Sequence, residues 1–249
     1  MTNEMQALAK THTWDVVDLP PSKSAIGCQW VYKIKTRSYG SIERYKACLV
    51  TQGFSQEYGI DYEETFASVA HHTSIRSLLA IAITHKWNLC LMDVKNAFLN
   101  DDLIVDVFMK PPPGSNIQSP KIYKLCCALC GLMQASRVWF DKFNSTIQDF
   151  GFTSSYCDSA LFIWKTKHGV IFPLLYVNDM IIIGNDAIEI SNIRKFLNHQ
   201  FEMKDLGLLN YFLGLEINCD TLVPLFLKPN MLLIFLLVLV SLIARLYLL

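Results

Sequence analysis

Two aspartates are placed in this sequence where a reaction at phosphate groups could use them. The polar pair Asn178-Asp179 separates two apolar runs, residues 170–177 and 180–183. Apolar runs joined by two polar residues predict a tight β-hairpin, because Asn and Asp tolerate the left-handed backbone of its turn. Asp93 follows another apolar, strand-like segment earlier in the chain. Carboxylates held on strands are oxygen ligands for Mg²⁺, and bound Mg²⁺ assists phosphoryl transfer. The two aspartates therefore predict a divalent-metal site.

The elements that must position these aspartates alternate between helices and strands. Residues 73–87 are the clearest helix, because apolar side chains recur there at i, i+3, i+4 and i+7. Helices and strands in this mixed order predict an α+β fold with an antiparallel sheet backed by helices. The other predicted helices span about residues 136–150 and 186–200, and the predicted strands span 26–34, 45–50, 89–94, 161–164 and 170–183.

Size and net charge leave most classes of partner open. The 249 residues suffice for one large domain or two lobes, and the formal net charge is zero. Local charge is more informative, because residues 23–52 are basic and contain Trp and Tyr. Such a segment indicates either a surface that lies on phosphates or the solvated face of a hairpin. Its basic residues are Lys23, Lys33, Lys35, Arg37, Arg44 and Lys46, against the single acidic residue Glu43.

Eight cysteines include one C-x-x-C pair, Cys127 and Cys130. No second pair follows at the spacing of a zinc site, and the neighbouring Cys126 has an apolar context. Reduced cysteines of an intracellular protein, in the cytoplasm or the nucleus, are therefore favoured over a zinc or redox site. Residues 1–10 lack the apolar segment of a signal peptide, which agrees with this location.

Six motifs follow one another along the chain. They are the basic segment 42–50, the acidic segment 59–66, the aspartate segment 92–99, the glycine segment 131–135, the hairpin 176–179, and the segment 201–207 followed by 211–214. In this order the motifs resemble those of the reverse transcriptase of copia-type LTR retrotransposons. The resemblance extends over about residues 14–217, which are expected to form the fingers and palm domain.

The resemblance implies a right-hand polymerase fold that adds deoxynucleotides to a primer, with an antiparallel palm sheet backed by helices. Its partners are an RNA or DNA template-primer and deoxynucleoside triphosphates. Its cofactor is Mg²⁺, of which two ions stabilise the attacking and leaving oxygens. The catalytic positions are then Asp93, Asn178 and Asp179. The metal ligands are Asp93, Asp179 and the backbone carbonyl of Val94.

The resemblance also implies three residues that contact the nucleotide. Phe98 is the aromatic gate under the sugar that excludes a 2′-hydroxyl, and the alternative is a core phenylalanine. Gln134 contacts the nucleotide or the template, and the alternative is a surface glutamine. Lys46, close to Arg44 in the basic segment, meets the triphosphate or the template. Lys204 lies either near the active site or exposed at a helix end.

Four positions depart from the motifs of this family. The hairpin turn of the family is Tyr-Val-Asp-Asp, and Asn178 replaces its first aspartate. A neutral amide cannot replace a carboxylate that bridges two cations, so this copy is expected to be catalytically impaired. Cys48, Cys130 and Ser136 replace an arginine, a tyrosine and a proline, a pattern typical of mutational decay. The alternatives are an active polymerase that tolerates Asn178 and a nucleic-acid-binding or membrane-tethered relic without catalysis.

The sequence changes character after Ile217. The family continues there with a Ser-Gln-x-Lys-Tyr-Ala-x-Asp segment, and codons for such a segment read one base late encode residues 227–234 of this chain. A frameshift within about residues 220–225 is therefore expected, with residues 218–249 as an apolar tail of a degenerate and truncated copy. Residues 231–249 are long enough to span a membrane, so they predict either membrane association or aggregation.

Overall fold

The computed structural model of the chain describes residues 2–37, 39–100, 102–115, 117, 120–209 and 211–217. These residues form four α-helices and several largely antiparallel sheets, so the expected mixture of helices and antiparallel strands is confirmed. The helices are α1 (Thr2–Lys10), α2 (His72–Thr84), α3 (Ala135–Asp149) and α4 (Ala187–Gln200). The strands are β1 (Trp14–Asp18), β2 (Ala25–Ile26), β3 (Cys28–Thr36), β4 (Ile42–Thr51), β5 (Asn88–Val94), β6 (Asp102–Met109), β7 (Lys121–Cys127), β8 (Thr153–Ser154), β9 (Phe162–Lys165), β10 (Val170–Tyr176), β11 (Asp179–Gly184), β12 (Met203–Leu208), β13 (Tyr211–Phe212) and β14 (Leu215–Glu216).

Two compact units divide the chain. The first contains the described residues up to Ala67 and those from Asn96 to Phe143. The second contains Ser68–Lys95 and the described residues from Asn144 onward. The aspartates predicted to bind metal therefore belong to the second unit, and the residues predicted to contact the nucleotide belong to the first.

The first unit is built on a four-stranded sheet in the order β1-β7-β6-β2. Its pairs are antiparallel except for β2 and β6, which run parallel. Alternation along β6 and β7 turns Val107, Met109, Tyr123 and Leu125 inward, and all four side chains are buried. Helix α1 contributes Leu8 to the same core. Burial of this side chain, more than helix propensity, stabilises α1.

Strands β3 and β4 form a separate two-stranded antiparallel ribbon. Its inner end joins the core of the first unit through the buried Leu49, and Trp30 packs on the same cluster. Farther out, Tyr32 on one face and Lys33 on the other face are exposed. The ribbon is therefore anchored at one end and presents both faces of its outer part to solvent.

The glycine motif at residues 131–135 is a close crossing of two backbones. Gly131 has φ 96°, and a Cβ added there would lie 2.2 Å from the carbonyl oxygen of Thr51. The amide of Thr51 in turn donates to the carbonyl oxygen of Cys130 at 2.8 Å. Only glycine accommodates both the left-handed backbone and this approach. The crossing thereby fixes the turn that leads into Gln134 and α3.

The second unit is built on a six-stranded antiparallel sheet in the order β12-β5-β11-β10-β9-β8. Strands β10 and β11 are almost wholly buried, and they lie at the centre of the sheet. Helix α2 buries Ile75 and Leu79, and α4 buries Ile193 and Leu197, at the spacing of four residues that places side chains on one helix face. The strands that carry the two aspartates are thus held in a well-packed core.

Within the described residues, no helix is both long enough and apolar enough to cross a membrane. The apolar tail at residues 218–249, where membrane association was expected, lies outside the described residues.

Candidate active site

The hairpin that carries Asp179 turns one residue earlier than the sequence pattern predicts. Tyr176 pairs with Asp179, so the turn consists of Val177 and Asn178 rather than Asn178 and Asp179. Val177 supplies the left-handed residue, with φ 57°, which is a strained conformation for a β-branched side chain. Asp179 is therefore the first residue of β11, where the sheet fixes the direction of its side chain.

The two aspartates are neighbours in one sheet. Strand β11 runs antiparallel to β5, and the register places Asp179 directly opposite Asp93. In the adjoining pair the amide of Val94 donates to the carbonyl oxygen of Asn178 at 2.9 Å. Since hydrogen-bonded and non-hydrogen-bonded pairs alternate, the aspartates occupy a non-hydrogen-bonded pair, whose Cα atoms lie about 4.5 Å apart. The two carboxylates therefore start from adjacent points on the same face.

A lysine extends this row on the other side of β5. Strand β12 also pairs antiparallel with β5, and Lys204 lies opposite Asp93. Lys204 is exposed and belongs to a strand, so its expected alternative as a lysine at a helix end is wrong. Strand β12 was not predicted, because its residues do not alternate between apolar and polar. Asp179, Asp93 and Lys204 thus form one row across three strands.

The carboxylate pair is electrostatically unfavourable without a cation. Burial raises the pKa of Asp179, and the negative charge of Asp93 raises that pKa further. Both side chains are only partly buried, so solvent still reaches the pair. The neighbouring Lys95 is engaged by Glu202, with Nζ and Oε1 at 2.6 Å. A divalent cation between the two carboxylates would remove their repulsion.

Asn178 contributes a buried oxygen that lacks a partner. Among the described residues, its side-chain Oδ1 is buried and accepts no hydrogen bond. An unsatisfied buried acceptor costs about 1–3 kcal/mol, which a bound cation or water would offset. Amide and carboxylate oxygens are both ligands for Mg²⁺. The donor chemistry of Asp93, Asp179 and Asn178 therefore fits a divalent cation, with less negative charge than three carboxylates would supply.

The three predicted nucleotide contacts lie in the first unit and differ in environment. Lys46 is exposed on β4 of the ribbon. Phe98 lies in the short 3-10 helix Ala97–Asn100 and packs, partly buried, against the core of this unit. Gln134 is buried, so the alternative of a surface glutamine is wrong. Whether these side chains contact a nucleotide stays a prediction.

The side chain of Gln134 makes hydrogen bonds to other residues of the first unit. Its Oε1 accepts from Nε2 of Gln56 at 3.1 Å, and its Nε2 donates to the carbonyl oxygen of Asp61 at 3.1 Å. Gln56 also accepts from the amide of Met133 at 2.9 Å, through its Oε1. This network ties the segment around residues 56–61 to the turn before α3. Gln56 is a positioning residue that sequence inspection missed, because an isolated glutamine in a loop carries no pattern.

Two carboxylates on neighbouring inner strands of a sheet are suited to hold a divalent cation, and such cations act on phosphate groups. Comparison with known proteins specifies the class: a family model described as reverse transcriptase (RNA-dependent DNA polymerase) matches residues 11–228. The chain therefore belongs to the reverse transcriptase family. The resemblance to copia-type retrotransposon enzymes is thereby confirmed.

Three plant relatives illustrate the likeness. The retrovirus-related Pol polyprotein from transposon RE1 of Arabidopsis thaliana is 41% identical over 87% of this chain and 15% of its own length. The corresponding polyprotein from transposon RE2 of the same plant is 38% identical over 87% of the chain and 15% of its own length. That from transposon TNT 1-94 of Nicotiana tabacum is 38% identical over 87% of the chain and 17% of its own length. The chain thus spans less than a fifth of each of these polyproteins.

Proposed function

We propose that the second unit carries a divalent-metal site for RNA-directed DNA synthesis, and that Asn178 impairs catalysis at this site. The substrates are a primer on an RNA or DNA template and deoxynucleoside triphosphates. The observation that supports the proposal is the register of β5 and β11, in which Asp93 and Asp179 are direct neighbours. Membership of the reverse transcriptase family supplies the reaction class.

Each candidate residue has a proposed role, either in metal binding or in nucleotide contact. Asp93 and Asp179 would hold Mg²⁺ through their carboxylates, and Val94 would add its backbone carbonyl. When bound, Mg²⁺ neutralises phosphate charge and stabilises the attacking and leaving oxygens. Lys46 and Phe98 are proposed to contact the triphosphate and the sugar. Gln134 makes two hydrogen bonds within the fold, and its remaining N–H and lone pair are proposed to contact the nucleotide or the template.

The impairment follows from charge. Asn178 offers a neutral oxygen where the family turn has a carboxylate, so the cation is held less strongly and less favourably placed. Removing one preorganised electrostatic group typically lowers a rate by ~10²–10³. Replacing a carboxylate that two metal ions share should lower the rate by at least as much.

Primer extension on a primed RNA template with Mg²⁺ tests this proposal. We expect extension by the unaltered chain to be at least ~10²-fold slower than by Asn178→Asp. Adding Asp93→Asn to the Asn178→Asp chain should abolish the gain, because the neighbouring carboxylate is then missing. Adding Cys48→Arg should increase it further, because the family's arginine returns to the basic face of the ribbon. Fast extension by the unaltered chain would contradict the proposed impairment.

A second candidate function, nucleic-acid binding without catalysis, is favoured by the ribbon. The register places Lys33 opposite Lys46 and Lys35 opposite Arg44. Like charges directly opposite one another destabilise a β-ladder unless an anion lies between them, and a phosphate chain is such an anion. On the other face, the exposed Tyr32 offers a ring on which a base can stack.

A further inference from the structure

Three side chains of types that bind transition metals converge at the edge of the four-stranded sheet in the first unit. His12 lies in the turn between α1 and β1, Asp15 lies on β1, and Cys126 lies on β7. Nε2 of His12 is 3.6 Å from Oδ1 of Asp15. The thiol of Cys126 donates to Oδ2 of Asp15 at 3.5 Å. The three ligand atoms all lie within 4.8 Å of one another.

Hydrogen bonds of Thr13 hold the backbone between the residues of this cluster. Thr13, between His12 and Asp15, is fully buried, and its hydroxyl donates to the carbonyl oxygen of Leu8 at 2.8 Å. The carbonyl oxygen of Thr13 accepts from the amide of Cys126 at 2.8 Å. The turn with His12 is thereby joined to the strand that carries Cys126. The side chains are exposed or partly exposed, so an ion can reach them from solvent.

The charge of Asp15 acts on the lysine opposite it more weakly than the charge of Asp106 does. Asp15 pairs in register with Lys124, but Nζ of Lys124 makes its ion pair with Oδ1 of Asp106 at 2.8 Å. The carboxylate of Asp15 instead faces the imidazole and the thiol.

The spacing suits a tetrahedral metal ion. Zn²⁺ binds nitrogen and oxygen at about 2.0–2.2 Å and sulfur at about 2.3 Å, so ligands on one ion lie roughly 3.3–3.6 Å apart. Oδ1 of Asp15 lies 3.6 Å from His12 and its Oδ2 lies 3.5 Å from Cys126, so each contact has this spacing, and binding through one oxygen requires a small rotation of the carboxylate. Imidazole, carboxylate and thiolate together form a ligand set that Zn²⁺ prefers and Mg²⁺ does not.

We propose that His12, Asp15 and Cys126 form a Zn²⁺ site, with water as the fourth ligand. On binding, the thiol proton of Cys126 passes to solvent and its thiolate becomes a ligand. The ion would link the α1–β1 turn to β7 and so stabilise the first unit. The site is separate from Asp93 and Asp179, which belong to the second unit and offer only oxygen ligands.

Co²⁺, which replaces Zn²⁺ and absorbs visible light, tests the site in the full reduced chain. We expect a tetrahedral ligand-field spectrum together with a thiolate-to-cobalt charge-transfer band, both lost when Zn²⁺ is added. The charge-transfer band distinguishes this site from the aspartate pair, because only a cysteine ligand gives rise to it. Cys126→Ser should remove the band, and Cys157→Ser, at an exposed cysteine of the second unit, is the matched control.

His12→Asn keeps the thiol and should weaken Co²⁺ binding at least ~10-fold, the loss that removal of even an outer partner causes. This second variant keeps the test decisive if Cys126→Ser folds poorly. The proposal is overturned if the unaltered chain gives no charge-transfer band, if the band survives Cys126→Ser, or if His12→Asn binds as tightly as the unaltered chain.

Discussion

Asp179 is the residue of the candidate active site whose negative charge the fold disfavours. Its raised pKa has two causes, burial and the charge of Asp93, and the register of β5 and β11 makes both unavoidable. Residues kept in an unfavourable environment by the surrounding fold are common where a ligand is bound. The orphaned oxygen of Asn178 belongs to the same turn and points to the same need for a cation.

Replacing Asp179 by Asn should therefore stabilise the fold at neutral pH without divalent cations. Opposed like charges on paired strands cost up to about 1 kcal/mol, which corresponds to about 2–4 °C in Tm for a chain of this size. Because the pKa of Asp179 is raised on folding, the folded state binds more protons than the unfolded state as pH rises from about 4. Stability is then lost as pH rises through the folded pKa. Thermal melts of both proteins between acid and neutral pH measure this difference.

The partner residue provides the control for that experiment. Asp93→Asn relieves the same repulsion, so the double variant should gain less than the sum of the two single gains. A lower melting temperature for Asp179→Asn would contradict the coupling of the two carboxylates. So would a difference from the unaltered chain that is equal at acid and neutral pH.

Much of the site could be predicted at the level of single residues. The apolar runs before Asp93 and around the hairpin sufficed to place both aspartates on strands, whereas their pairing in one sheet was expected only from the family resemblance. The turn was misplaced by one residue because composition favours Asn and Asp, whereas strand pairing selected Val177 for the left-handed position. The strand position of Lys204 and the hydrogen bonds of Gln56 could not be predicted, because both depend on contacts between distant segments.

Among the helices and strands, those with a strongly periodic apolar pattern could be predicted from the sequence. Helix α2 was expected at residues 73–87 and spans His72–Thr84, and α4 was expected at 186–200 and spans Ala187–Gln200. Strands β6 and β7 were not predicted, although they form half of the sheet in the first unit. Polar residues interrupt their alternation, and their pairing, not local propensity, makes them strands.

The ribbon of β3 and β4 carries two cross-strand pairs of basic residues that are expected to bind phosphates. Lys33→Gln combined with Lys46→Gln removes one cross-strand pair of like charges. If both lysines neutralise phosphates, the slope of log affinity for single-stranded RNA against log salt should become shallower by about 1.4. Filter binding or fluorescence anisotropy across a salt series measures this slope.

Lys165→Gln with Lys167→Gln is the matched control, because these exposed lysines lie in the second unit, outside the ribbon. An equal change of slope in both double variants would mean that net charge, not the ribbon, determines RNA binding.

For the whole molecule, the described fold ends at Ile217, a buried residue just after β14. We predict that removing residues 221–249 raises the soluble yield and leaves the melting temperature of the folded part unchanged. An uncharged run such as residues 231–244 associates with membranes or with itself when it is exposed. Expression of residues 1–220 beside the full chain tests this. A shortened chain that unfolds would show that the tail packs on the second unit.

The Mg²⁺ dependence of thermal unfolding tests whether Asp93 and Asp179 form a divalent-cation site that Asn178 weakens. Without divalent cations, Asn178→Asp should melt below the unaltered chain, because a third carboxylate joins the pair. At about a hundredfold excess of Mg²⁺ over its Kd, the Tm of Asn178→Asp should rise by about 5–10 °C. The unaltered chain and the Asp93→Asn, Asn178→Asp double variant should gain much less. An equal Mg²⁺-dependent rise in all three proteins would contradict a metal site at these residues.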